Sequence, residues 1–284
     1  AAVEVGPAPK GLGNDATWSV FNAGMNPGHT GRYFVRQVLP GDYTATYLTA
    51  EHVNGVPYWK WLSEAGRRVA IIDAPYATVD PVNGLQTADW LVHGPLYGHD
   101  APTFPVELAQ TLETDFGPDP VRHSDAPGMR TARELDELAQ GLKEKSRIKG
   151  RYARQVLSDP SWDHVSVTFT DSHCAGHQFW HLHDEAYINF DPTLENQTGN
   201  LLLDVYEETD RKISELIPLI SDDDYLMLFT GPGMGPNDTA SHLLEDVLHG
   251  QDSHRRTELI DYHRHVIVPG LQLGQREING LLRG

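Results

Sequence analysis

Short apolar runs alternate with amphipathic stretches along this chain. RRVAIIDAP (67–75) and VSVTFT (165–170) have the length and continuous apolar character of buried strands. DYLMLFT (224–230) and HVIVP (265–269) share that character and are predicted as two further strands. Because such strands alternate with helices, the pattern predicts an α/β fold with a largely parallel central sheet and helices on both faces.

Helical spacing of apolar residues predicts the remaining elements. The clearest helix covers 131–157, where Thr131 and Glu134 form a capping-box pattern before a periodic series of leucines. The segment 78–128 is rich in Pro, Gly and aromatic residues, and is predicted as a loop-rich elaboration or lid with one helix near 105–115. We expect a single domain over 1–284. Further helices are predicted over 15–24, 57–65 and 198–217 and near 240–249.

Composition narrows the class of partner. The 284 residues include 22 Lys and Arg against 40 Asp and Glu, a net charge of −18. This acidity argues against nucleic acid and anionic membranes as partners, and leaves room for a small anionic or ester substrate at a locally cationic site. No apolar run has membrane-spanning length, and no leading segment has the pattern of a signal peptide. A single cysteine, Cys174, excludes an internal disulfide and favours a cytoplasmic location.

A cluster of histidines follows the strand predicted at 165–170. Four of the 15 histidines lie between positions 173 and 183, and His173, His177 and His181 are spaced so that they share one face of a helix. Imidazoles at this spacing can bind one metal ion, and Asp171 and Asp184 are candidates to bind it or to orient the rings. The alternative is a set of partly buried polar residues on a surface loop. Ligands of parallel sheets bind beyond the carboxyl ends of strands, where this cluster is predicted to lie.

Four segments, taken in order, resemble a known family. They are FNAGMNPGHTGRYF (21–34), PYWKWLSEAGRRVAIIDAP (57–75), VSVTFTDSHCAGHQFWHLHD (165–184) and DDDYLMLFTGPGMGPN (222–237). They resemble the type I phosphodiesterase/nucleotide pyrophosphatase branch of the alkaline phosphatase superfamily, and the resemblance covers nearly the whole chain. It implies an alkaline-phosphatase-like fold in which two metals, usually zinc, flank a Thr or Ser nucleophile that attacks phosphate esters.

The resemblance also shows departures from the family pattern. The Asp-x-x-Gly-His metal motif falls on His173 and His177, so one ligand is kept and the other changes from Asp to His. The second metal motif falls on Gly231 and Pro232, which have no side chain able to bind a metal. The nucleophile position falls on Asn14, and the family's first strand has no counterpart in this chain. The resemblance therefore implies one altered metal site.

Further residues are candidates for metal binding and catalysis. His242 is the preferred third ligand, and Asp171 is a further one. Asn14, Asp15 and His181 are the candidate catalytic residues. The expected cofactor is one divalent transition metal, zinc first, with iron or manganese as alternatives. For the third ligand His249, His254 and His265 stay open, and for the nucleophile Ser19 stays open.

Three functions follow as hypotheses. The first is a metal-dependent hydrolase of a phosphate or related ester. The second is a repurposed, non-hydrolytic biosynthetic enzyme on the same fold that uses a single metal or His acid–base chemistry. The third is a non-catalytic relative that binds a ligand. The family resemblance supports the first, and the changed ligands support the second. The sequence leaves the oligomeric state open.

Overall fold

A computed structural model describes residues 14–34, 36–39, 41, 45–92, 101–122, 124, 128–231 and 233–235. The chain divides into two compact units, one of residues 1–35 with 48–237 and one of residues 36–47 with 238–284. In the second unit, β1 (Arg36–Val38) and β2 (Ala45–Tyr47) pair antiparallel. All other elements described below belong to the first unit. A single domain over 1–284 stays a prediction.

The central sheet is mixed, with mostly parallel pairing. Its strands are β3 (Val69–Ala74), β4 (Gly84–Ala88), β5 (Thr103–Phe104) and β6 (His164–Val167), in the order β5-β4-β3-β6. The central strand β3 runs parallel to β4 and β6, whereas β5 runs antiparallel to β4. Every residue of β3 is buried, as its continuous apolar run predicts. The prediction of an α/β fold with a largely parallel sheet is confirmed.

The five helices predicted within the described residues are formed, and two short helices, Pro27–Thr30 and Pro192–Thr198, were not predicted. The capping box of Thr131 and Glu134 is formed, and it begins the longest helix. The helix predicted over 198–217 is α8 (Leu201–Leu216), which a break at Gly199 separates from the short α7 (Pro192–Thr198). The α-helices are α1 (Asn14–Ala23), α2 (Pro27–Thr30), α3 (Tyr58–Glu64), α4 (Leu108–Phe116), α5 (Ala132–Leu157), α6 (Asp171–Phe179), α7 (Pro192–Thr198) and α8 (Leu201–Leu216). Single 3₁₀ turns cover Ala50–His52, Trp180–Leu182 and Ile217–Leu219.

Helices cover both faces of the sheet. On one face, Val69 and Ile71 of β3 pack with Trp59 of α3. On the other face, Ala70 and Ile72 pack with residues of α4, α5 and α8. A third cluster joins α5, α6 and α8 through Leu142, Phe179 and Val205, among others. This third cluster fixes α6, the helix that carries the histidines, against the two longest helices.

Two predictions about the chain between these elements are corrected. The prediction of a buried strand over 224–230 is wrong, because the segment is irregular and residues 225–229 are exposed. A strand needs a partner strand, and in the described ranges β6 pairs with β3 alone. The stretch 78–128 holds the strands β4 and β5 as well as the predicted α4. Apolar patterning misses β4 because Gln86 and Thr87, although buried, are polar and hydrogen-bonded.

The helix predicted near 240–249 and the strand predicted over 265–269 lie outside the described residues. Across the described ranges, no helix has the length and apolar character needed to cross a membrane.

Candidate functional site

The strands β3, β4 and β6 end at one edge of the sheet, which we call the carboxyl edge. An acidic residue lies at or just after the end of each strand. Asp73 is the second-to-last residue of β3, Asp89 directly follows β4, and Asp171 lies shortly after β6. Ligands of parallel sheets bind at this edge, so the fold places these residues where a site is expected.

The helix α6 brings two histidines together at the carboxyl edge. The rings of His173 and His177 are half-buried, with centroids 4.4 Å apart and planes at 87°. Their spacing of four residues on α6 confirms the predicted shared face for these two histidines. The prediction does not hold for His181, because α6 ends at Phe179 and His181 lies in the following 3₁₀ turn. Imidazoles four residues apart on a helix are of the type that can hold one metal ion, whose bonds to ring nitrogens measure about 2.0–2.1 Å for zinc.

The glycine-rich segment 231–235 contacts α6 between these histidines. A Cβ atom added to Gly176 would lie 2.4 Å from Cγ of Met234, so the Met234 side chain occupies the space that the glycine leaves. The segment after Thr230 therefore reaches α6 although the strand predicted over 224–230 is not formed. His242 follows in the chain but lies outside the described residues.

Gly176→Ala is expected to displace Met234 and lower the free energy of unfolding by about 1–3 kcal/mol, because the added methyl overfills a packed contact. Urea unfolding of the purified chain measures the change. Gly233→Ala is the matched control, because a Cβ there meets no atom within 4 Å. Adding Met234→Ala to Gly176→Ala should restore part of the loss. Equal stability of Gly176→Ala and the control would show that the contact is unimportant.

A buried ion-pair network lies beneath the carboxyl edge. Nζ of Lys149, on α5, lies 2.8 Å from Oδ2 of Asp73 and 3.9 Å from Oδ2 of Asp171, and donates a hydrogen bond to Oγ1 of Thr170. Oγ of Ser146 donates to Oδ2 of Asp171 at 2.8 Å. The side chains of Lys149 and Asp73 are both 0% exposed. One ammonium group and two carboxylates thereby tie α5 to the end of β3 and to the start of α6.

Burial and the neighbouring charges shift the pKa values of Lys149 and Asp171 in this network. Burial opposes the charge on Lys149, but the carboxylates of Asp171 and Asp73 outweigh it and raise the pKa of the ammonium group. Burial raises the pKa of Asp171, although Lys149 acts against that rise. The side chain of Asp171, a predicted metal ligand, thus contacts Lys149 and Ser146 of α5. Its role as a ligand stays a prediction.

Strained backbone accompanies these contacts. Asp73, Tyr76 and Asp89 have φ angles of 59°, 52° and 47°, a region that non-glycine residues rarely adopt. The carboxylate of Asp73 accepts hydrogen bonds from the backbone N–H groups of Trp90 and Leu91, which offsets the strain locally. Backbone strain of this kind costs about 1–3 kcal/mol per residue and clusters at functional sites.

Arg32 and Asp89 form a second group at the same edge. The Arg32 guanidinium is fully buried, stacks 4.3 Å over the ring of Tyr76, and donates from Nη1 to the carbonyl of Thr49. Oδ1 of Asp89 accepts the backbone N–H of Tyr76. Burial raises the pKa of Asp89 to about 7; the Tyr76 hydrogen bond and the Arg32 charge oppose that rise, and the charge of Asp73 adds to it.

Sequence reasoning missed Arg32, Tyr76, Asp89 and Lys149 as site residues. Arg32 lies within the segment 21–34, which is one of the four that resemble the family. The only signal for Arg32 in the sequence was a positive charge next to a glycine in that segment. Lys149 looks in sequence like an ordinary exposed position on a long helix. Its burial depends on the packing of α5 against the sheet, which periodicity alone does not reveal.

The other predicted residues are placed as follows. His181 lies half-buried in the 3₁₀ turn after α6, and burial lowers its pKa. The carboxylate of Asp184 accepts hydrogen bonds from Trp180 and Ala186. Asn14 and Asp15 begin α1, and their catalytic roles stay predictions. His242 lies outside the described residues, so its role as a ligand also stays a prediction. Cys174 is buried, with Oγ of Ser124 donating to its sulfur.

In the part of the chain that the structure describes, no three His, Cys, Asp or Glu side chains converge into a metal-holding group. Comparison with known proteins finds no matching family model, no similar curated protein and no similar solved structure.

Proposed function

We propose that this chain is a metal-dependent hydrolase of a phosphate or related ester, in which His173 and His177 hold one divalent transition-metal ion. The observation that carries the proposal is the pair of imidazoles, 4.4 Å apart on α6, at the carboxyl edge of a largely parallel sheet. The four resembling segments support an alkaline-phosphatase-like fold, and the mixed α/β architecture is compatible with it.

Bound zinc would act as a Lewis acid and lower the pKa of a coordinated water. The chain's own residues hold the two imidazoles in place. Phe179, at the end of α6, is buried against α5 and α8, and the Met234 side chain packs on Gly176 between the two histidines. Both contacts limit movement of the histidine pair.

The remaining roles belong to the same proposal. His242 is proposed as the third ligand, and Asp171 as an alternative that would have to share its carboxylate with Ser146 and Lys149. Asn14 or Asp15, at the start of α1, is proposed to replace the family nucleophile, and His181 is proposed as an acid–base residue. Zinc is the first choice of metal, with iron or manganese as alternatives.

A second candidate is a non-hydrolytic enzyme that uses one metal on the same fold. It is favoured by Gly231, an exposed residue where the resembling family carries a metal ligand. On this resemblance, the positions of two ligands for the second ion fall on Gly231 and Pro232, whose side chains cannot bind a metal.

The test is the metal content and turnover of matched variants. We expect about one zinc per chain in the wild type. We also expect at least about tenfold weaker zinc binding in His177→Ala, because metal affinity depends on each protein ligand. Hydrolysis of p-nitrophenyl phosphate and bis-p-nitrophenyl phosphate should fall to background in the same variant. His183→Ala is the control, since that exposed histidine belongs to the same cluster and bonds to Asn200.

Unchanged zinc content and turnover in His177→Ala would overturn the proposal. One zinc per chain without turnover of either aryl phosphate would instead favour the non-hydrolytic candidate.

A further inference from the structure

Arg32 is a fully buried cation, and one edge of its guanidinium has no hydrogen-bond partner among the described residues. Nη1 donates to the carbonyl of Thr49, whereas Nε and Nη2 have no hydrogen-bond partner among the described residues. Those same residues include no carboxylate within ion-pair distance of Arg32. Nε and Nη2 lie on the same edge of the planar group, the edge that forms two parallel hydrogen bonds with a carboxylate or a phosphate.

Arg147 shows how this chain satisfies the same edge when an arginine has a structural role. Its Nε and Nη2 donate to the two carboxylate oxygens of Glu208 at 3.2 and 3.1 Å. Asp89 is near enough to Arg32 for their charges to influence each other, yet one of its oxygens accepts the backbone N–H of Tyr76. The Arg32 edge is therefore left for a group from outside the described chain.

The location of Arg32 matches a ligand site. It stacks on Tyr76, which follows β3 at the carboxyl edge. Tyr76 also lines a small cavity together with the polar residues Ser19 and Asn22 of α1. Arg32 is thus linked through the ring of Tyr76 to the wall of a cavity at this edge of the sheet.

We propose that Nε and Nη2 of Arg32 bind a phosphate-type oxyanion group of the substrate in a bidentate manner. The identity of that group as part of a substrate rests on the proposed function, whereas its binding does not. The arginine supplies the local positive charge that a strongly acidic chain needs to hold an anion.

Asp89 makes this binding sensitive to pH. The charged groups that act on Asp89 are Arg32 and Asp73, and Asp73 is itself paired with Lys149. Ionised Asp89 competes for the charge of Arg32 and repels an incoming anion, whereas protonated Asp89 does neither. Oxyanion affinity is therefore expected to fall as the pH rises through about 7, the pKa of Asp89.

The test is calorimetric titration of the full chain with inorganic phosphate, with EDTA present so that no metal contributes. At about pH 6 we expect Arg32→Lys to bind at least about tenfold more weakly than the wild type, because an ammonium cannot form the two parallel bonds. Arg133→Lys, at an exposed position of α5, is the control and should bind as the wild type does. The affinity of the wild type relative to that of Asp89→Asn should fall between about pH 6 and pH 8, because the second ionisation of phosphate is common to both titrations and Asp89 is not.

If Arg32→Lys fails to fold, the pH dependence of phosphate binding by Asp89→Asn tests the proposal instead, because this variant retains Arg32. No binding by the wild type at about 10 mM phosphate, or equal binding by Arg32→Lys, would overturn the proposal. Tighter binding of acetate than of phosphate would overturn the phosphate assignment in favour of a carboxylate. His177→Ala should bind phosphate normally under EDTA, so failure of the proposed metal site and failure of this site are distinguishable.

Discussion

Lys149→Met is expected to lower the free energy of unfolding by about 3–5 kcal/mol, because it leaves two carboxylates buried without their shared cation. Asp73 loses its 2.8 Å ion pair, and Asp171 loses the only positive charge within 4 Å among the described residues. Methionine has a similar shape, so the loss reports the charge more than the packed volume. Urea unfolding at neutral pH, followed by circular dichroism, measures the effect.

Arg133→Met on the same helix is the matched control. Arg133 pairs with Glu137 on the exposed face of α5, where water screens the pair, and its removal should leave stability nearly unchanged. Asp73→Asn combined with Lys149→Met should recover part of the loss, because it removes one of the stranded charges. The network has no structural importance if Lys149→Met and the control unfold at the same urea concentration.

The second large effect is a loss of stability with rising pH that comes from Asp89. Burial raises its pKa to about 7 in the folded chain, against 3.8 for an ordinary aspartate. Between these values the folded chain keeps a proton that the unfolded chain has released. Stability from this residue is therefore present below about pH 4 and falls by about 1.4 kcal/mol per pH unit until about pH 7.

Asp89→Asn cannot ionise, so the difference in unfolding free energy between variant and wild type isolates this residue. That difference should grow in favour of the variant by a few kcal/mol from about pH 4 to pH 7 and then level off. Other titrating groups, Asp171 included, are common to both proteins and largely cancel. A difference that stays constant across this range would show that Asp89 ionises normally.

Both predictions concern the carboxyl edge of the sheet. Buried charges and strained backbone are concentrated there, and both the desolvation of the charges and the backbone strain cost stability. Proteins retain such arrangements where the geometry is needed, and the proposed metal and oxyanion sites lie at this same edge.

Several elements were predictable because their determinants are local. Thr131 and Glu134 begin α5 through contacts within four residues, and the apolar run of β3 requires burial on both faces wherever it packs. The shared face of His173 and His177 follows from helical spacing alone. These predictions depend on distances along the chain, which sequence displays directly.

The strand expected over 224–230 failed for the opposite reason. Its apolar character resembles that of β3, but a strand also needs a neighbouring strand for its backbone hydrogen bonds. β4 was missed because Gln86 and Thr87 are polar, and their burial is offset by hydrogen bonds to residues distant in the chain. Neither the missing partner nor the compensating bond is visible in a local pattern.

The sequence by itself determined the α/β pattern, the long capped helix and the alignment of two histidines on one helix face. Only the tertiary structure decided that Lys149 is buried between Asp73 and Asp171, that Met234 packs on Gly176, and that Arg32 keeps an open edge beside Tyr76. The physical reason is the separation along the chain over which each determinant acts. Hydrophobic periodicity and capping act over a few residues, whereas charge burial and partner choice depend on groups that only folding brings together.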